Sequence, residues 1–193
     1  MSSRVNIQVP PSYDNYISSV QEDKLIPALK KSTKQFQKLL KQIPKKKVDF
    51  AYAAGKWTIR ELLQHMIDAE RVFVFRALWF ARKDPSPLPG FNENTWAVDS
   101  YAPARVWNDL IDEFSAVRNS TIALFSSFNE EQLLSKGLAN NNEMNVVGIG
   151  FVCAGHVQHH IRIIKERYLK VKVKGEGRKV KGGGRKEEKK SEI

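Results

Sequence analysis

Four histidines occur in 193 residues, and they fall into two short segments. His65 stands alone in one apolar stretch, while His156, His159 and His160 share another. His156 and His160 are four residues apart, so on a helix they stack on one face about one turn from each other. Two imidazoles placed in this way reach the same ion, and His65 from a facing helix supplies a third nitrogen. Imidazole is a common ligand for Zn, Ni, Cu and Fe, and three protein ligands leave positions open for water or substrate. A lone buried histidine is more often a hydrogen-bonded core residue, and chance readily produces an i, i+4 pair. The confinement of every histidine to two largely apolar segments puts metal binding ahead of that reading. His159 lies one residue off the shared face and suits a supporting or interfacial position.

Neighbouring residues offer less. Cys153 lies three residues before His156 and roughly on its face. A small buried hydrophobe is the commoner role for such a thiol, so it is not counted as a ligand. Asp68 and Glu61 lie within about one turn of His65 and could orient its ring. Named metal and nucleotide sites are excluded. Val157 stands where a zinc protease needs Glu, and Cys153 stands where a carboxylate di-iron bundle needs it. There is no Gly-x-Ser-x-Gly elbow and no Walker-type loop. Gly148-Ile-Gly150 lacks a third glycine and follows no strand; with Gly155, these glycines suit close helix packing.

Helical periodicity supplies the elements that would position the histidines. From about Glu22, Leu25, Ile26, Leu29, Phe36, Leu39, Leu40 and Ile43 form one face, ending at Pro44. Pro27 is tolerable in the first turn, and Lys45-Lys46-Lys47 follows the helix end, where cations complement the dipole. Thr58-Ile-Arg-Glu61 is a capping box that opens a second helix through Phe80. A third carries Val106, Leu110, Phe114, Val117, Ile122, Leu124 and Phe125. A short helical piece from Glu130 to Leu134 and the polar run Asn140-Asn-Asn142 precede a fourth helix, from near Val146 to about Leu169. Four amphipathic helices without convincing alternating strands predict an all-α four-helix bundle. The stretch from Lys83 to Pro103 is long for a bundle connection; its prolines, Phe91 and Trp96 favour an ordered crossover.

The expected organisation is an irregular leader over 1–20, the bundle over 21–169, and a Lys/Gly-rich disordered tail over 170–193. The composition, 41% hydrophobic and 27% charged, is that of a globular domain. No apolar run is long enough for a membrane span, and the opening residues lack the apolar stretch of a secretory signal. A single cysteine points to a reducing, cytoplasmic setting. The net charge of +11 is concentrated at the ends. Residues 1–47 hold ten Lys/Arg against three acids, and residues 170–193 hold ten against four. The body, 48–169, holds twelve against fourteen. Nucleic-acid binding is therefore the weaker reading, at most non-specific through the tail.

Two segments resemble a known family. Lys56-Trp57-Thr58-Ile-Arg-Glu61-Leu-Leu-Gln-His65-Met-Ile-Asp68-Ala-Glu70-Arg71 looks like the first metal-ligand helix of the DinB/YfiT-like proteins. Ala154-Gly155-His156-Val-Gln-His159-His160-Ile-Arg-Ile looks like its partner helix. The intervening Pro-Leu-Pro-Gly-Phe-Asn-Glu-Asn and Trp107 segments also look like that family, so the resemblance covers roughly residues 20 to 169. It implies an up-down-down-up bundle, often a homodimer, that binds one divalent metal (Zn, Ni, Mn or Fe) through His65, His156 and His160. It further implies a metal-dependent enzyme acting on a small molecule, by hydrolysis or by transfer of a low-molecular-weight thiol, since some members use bacillithiol or mycothiol. Asp68 is the candidate catalytic side chain, with Asn94 and Tyr101 as further polar residues expected near the site. The alternative is a non-catalytic, dimerising metal-binding module of the stress response; a closed apolar pocket without room beside the metal would favour it.

Overall fold

The computed structural model describes residues 4–170. In chain order its helices are α1 (Asp14–Ser19), α2 (Leu25–Gln42), α3 (Lys45–Val48), α4 (Ile59–Ala81), α5 (Glu93–Asp99), α6 (Trp107–Ser127), α7 (Glu130–Leu134) and α8 (Val146–Ile163). A hairpin, β1 (Lys136–Ala139) and β2 (Asn142–Asn145), precedes α8, and a π-helical turn at Ile164–Tyr168 extends it. The four long helices α2, α4, α6 and α8 form the up-down-down-up bundle. Among the described residues no helix is long and apolar enough to cross a membrane.

The helices form where the pattern demands them. In α2 the buried side chains Leu25, Ala28, Leu29, Ser32, Thr33, Phe36, Leu39 and Leu40 follow helical spacing, and the lysines face outward. The box at the start of α4 is complete: Glu61 N–H donates to Thr58 Oγ1 at 3.2 Å and Thr58 N–H donates to Glu61 Oε2 at 2.7 Å. Apolar almost all round, α8 is the enclosed helix, packed by α1, α2 and α4. At Gly155 the backbone of Tyr16 occupies the space a Cβ would need, so α1 rests directly on α8. The core has two regions. One joins Leu29, Phe73, Phe80, Phe151 and Val152, and the other joins Phe36, Leu63, Met66, Phe114 and Val157. Each such side chain contributes about 1.5–3 kcal/mol on full burial.

Several sequence expectations are corrected. The leader expected to be irregular carries α1 and two short 3-10 turns, because its Tyr13, Tyr16 and Ile17 have apolar surface to bury against the bundle. The third helix starts at Trp107; Val106 is its N-cap and stays 61% exposed. Lys45-Lys46-Lys47 follows the end of α2, as expected, but is itself helical, forming α3 after Pro44. The absence of strands is also corrected: the polar run Asn140-Asn-Asn142 belongs to a hairpin. Asn140 and Asn141 both have positive φ, 49° and 59°, the pair of conformations a type I′ two-residue turn requires and asparagine tolerates. The long connection is ordered, as expected, by α5 and by backbone bonds from Leu88 N–H to the Leu138 carbonyl and from Asn140 N–H to the Leu88 carbonyl. The expected tail lies outside the described residues except for Lys170.

Candidate metal centre

His65 is presented by α4 two turns after its capping box, and His156 and His160 by consecutive turns of α8. The three rings converge. His156 Nε2 lies 3.2 Å from His65 Nε2 and 2.9 Å from His160 Nε2. One ligand atom from each ring falls within 4.8 Å of the others. The rings are held by other aromatics, with Trp57 at 4.7 Å from His65 and Tyr16 and Phe73 at 5.5 and 6.0 Å from His156. The Trp57 carbonyl in turn accepts from the Tyr168 hydroxyl at 2.6 Å.

Burial keeps these imidazoles neutral. Desolvation, with a smaller contribution from His159, lowers His65 to about 4. Desolvation first, and repulsion from neighbouring rings second, holds His156 and His160 well below the ordinary value. Three neutral rings facing one another cannot satisfy themselves, because an Nε2–H donates to one neighbour and the remaining lone pairs then face each other. A cation accepts all three lone pairs. Nitrogen ligands about 2.0–2.1 Å from an ion stand about 3 Å from one another, close to the 3.2 and 2.9 Å that separate His156 Nε2 from His65 and His160. The donor set therefore fits a divalent metal. Behind His160 the usual supporting contact is missing among the described residues, since its Nδ1 is buried without a hydrogen-bond partner there.

The histidines open on a cavity of about 210 Å³, walled also by Tyr13, Tyr16, Phe73, Arg76, Phe91, Glu93 and Asn140. Of the carboxylates expected to orient His65, neither does so. Glu61 is used by its capping box, and Asp68 accepts from Gln64 Nε2 at 3.0 Å and faces Arg71, away from the histidine cavity. Burial raises the Asp68 carboxyl above its ordinary value. Asn94 and Tyr101 also lie elsewhere, Asn94 in the exposed first turn of α5 and Tyr101 76% exposed before a 3-10 turn. Cys153 is fully buried, and desolvation pushes its thiol far above the ordinary range. His159 packs on Tyr16 at 5.3 Å, beside the site rather than in it. Residues that sequence reasoning missed are Tyr13, Tyr16, Phe73, Arg76 and Asn140. Only Asn140 had a local signal, its place in an Asn-Asn turn.

Fold and site together define a four-helix bundle with a three-histidine pocket between facing helices. The sequence profile of the DinB superfamily matches residues 28–164, and the chain belongs to that family. Among curated relatives, two are each named "Putative metal-dependent hydrolase". That of Oceanobacillus iheyensis is 28% identical over 118 residues, covering 59% of this chain and 66% of the relative. That of Bacillus mycoides is 26% identical over 113 residues, covering 55% of this chain and 65% of the relative. The matches thus span just under two thirds of these relatives' lengths. Among solved structures, Bacillus subtilis YfiT, described as "a probable metal-dependent hydrolase with an unusual four-helix bundle topology", superposes with a TM-score of 0.66 at 16% identity. It covers 79% of this chain and 89% of its own. A mycothiol-dependent maleylpyruvate isomerase gives a TM-score of 0.60 at 12% identity, over 70% of this chain and 57% of its own. At these identities the two structures bear on the fold alone.

Proposed function

We propose that His65, His156 and His160 hold one divalent cation and that the chain is a metal-dependent enzyme acting on a small electrophile, by hydrolysis or by addition of a thiol. The observation that carries this reading is the convergence of three neutral Nε2 atoms at the wall of an open cavity. The names of the curated relatives support hydrolysis, and the isomerase named for its mycothiol dependence supports the thiol route. When bound, a cation supplies positive charge that acidifies water or a thiol at its open positions.

The chain's own residues prepare that chemistry. Burial holds the three imidazoles unprotonated near neutral pH, so their lone pairs are free for a ligand. Trp57 and Phe73 fix the rings and exclude water from their flanks. Tyr13 and Tyr16 from α1, with Phe91 from the long connection, shape the mouth of the cavity. Room beside the histidines favours a reaction site over a closed, non-catalytic module.

Hydrolysis of nitrophenyl acetate, and displacement of chloride from chlorodinitrobenzene by the cysteine thiolate, test hydrolysis and thiol transfer, in zinc-, nickel- and manganese-loaded protein and after chelation. Turnover by a loaded form that disappears on chelation and in His156→Ala supports the proposal. Equal rates in loaded and chelated protein contradict it.

A further inference from the structure

The wall between two cavities carries a buried charge with no acid beside it. Arg76 of α4 is only 3% exposed. Its Nη2 donates to the Pro89 carbonyl at 2.9 Å, and its guanidinium meets the Tyr13 hydroxyl. Among the described residues no carboxylate pairs with it, although a guanidinium offers five donors. A buried charge left without a counter-charge is costly, and structural arginines in protein cores have partners.

Arg76 borders both the histidine cavity and a second cavity of about 360 Å³. Val72, Phe75, Leu88, Phe91 and Trp96 give that second space a mostly apolar wall. The charged groups there besides Arg76 offset each other: Arg71 lies 2.7 Å from Glu113 and 3.8 Å from Asp68, and Asp68 also accepts from Gln64. On the histidine side the one lining carboxylate among the described residues is Glu93, exposed and unpaired with Arg76. A planar guanidinium fork matches a carboxylate, and an apolar wall beside it matches a hydrocarbon body.

We infer that Arg76 binds the carboxylate of an anionic small molecule whose apolar body lies between Phe75, Leu88 and Trp96, presenting that molecule to the histidine cavity. The inference rests on the reading of that cavity as a reaction site and names its substrate class, a compact apolar carboxylate.

The test compares phenylpropionate with phenylpropionamide, two probes of one shape that differ in charge. Binding is followed by calorimetry in metal-free and zinc-loaded protein. The acid is expected to bind at least about tenfold more tightly than the amide in both forms, the scale of a charge-assisted hydrogen-bond pair. Arg76→Gln abolishes the preference and Arg76→Lys keeps part of it. Equal affinity, no binding of either probe, or a preference surviving in Arg76→Gln overturns the inference. The acid-amide comparison uses the unaltered chain, so it stands even where Arg76→Gln fails to fold. Zinc content of the same samples separates the two readings. Acid preference without bound zinc removes the metal reading alone, and bound zinc without acid preference removes the Arg76 reading alone.

Discussion

The bundle buries two polar clusters along α4, five residues apart in sequence, and they differ in how their needs are met. At Glu70 the carboxylate meets Arg118 Nη2 at 2.6 Å and accepts from Thr121 Oγ1 at 2.6 Å. Arg118, 0% exposed, also reaches the Cys153 carbonyl at 3.3 Å and lies over the Phe114 ring. Charge there is answered by charge from the neighbouring helix α6. At His65 three neutral imidazoles converge beside a cavity. Both clusters bear the desolvation cost of polar groups in an apolar interior. The first is an ion pair inside the fold, although Arg118 Nε and Nη1 have no hydrogen-bond partner among the described residues; the second is a set of like donors, the arrangement a cation would satisfy.

The largest test of this contrast strikes the closed cluster. Glu70→Ala leaves Arg118 as an uncompensated buried charge and should destabilise the chain by about 3–5 kcal/mol in urea unfolding. Replacing both partners, Glu70→Met with Arg118→Leu, should come close to neutral. Neither change should alter the stoichiometry of metal binding by the folded protein. Equal losses from the single and double replacements would contradict the closed-cluster account.

The open cluster should respond to ligand instead. Zinc at a hundredfold excess over its dissociation constant should stabilise the native chain by about 2.7 kcal/mol, and should not stabilise the His156→Gln/His160→Gln variant. A smaller effect follows from pH in metal-free protein. His65 is lowered to about 4 from an ordinary 6.5, and burial holds the other two histidines well below the ordinary value. The unfolded chain therefore binds more protons in that interval, so the stability is fully present above pH 6.5 and falls as pH drops toward 4. His65→Gln should flatten that slope; an unchanged slope would show that other groups set it. The smallest effect belongs to Asp68→Asn. Asp68 is engaged by Gln64 and Arg71, so zinc affinity should stay within about twofold, while a tenfold loss (about 1.4 kcal/mol) would tie it to the histidines after all.

The bundle was legible because α2 and α4 carry their apolar residues at helical spacing and α4 announces its start with Thr58 and Glu61. The facing of His156 and His160 was legible for the same reason, since four residues on a helix is one turn. What lay across the chain was not. Nothing near Arg76 in sequence signals the lack of a carboxylate in space, and nothing near Tyr16 shows that its backbone closes on Gly155. Asp68 was misplaced because its i−4 neighbour Gln64 competes for it, a contact that depends on which way the pair faces. The hairpin escaped notice because its strands are only four residues long and show no apolar-polar alternation, yet Asn140-Asn141 carried the turn signal.

The central claim is that three neutral histidines hold one ion. Elemental analysis of untagged protein, dialysed against zinc and then desalted, tests it most directly. The account predicts about one ion per chain, lost in His156→Ala/His160→Ala while the helical circular dichroism remains. Negligible metal in the native chain, or an equal amount in the folded variant, would contradict it.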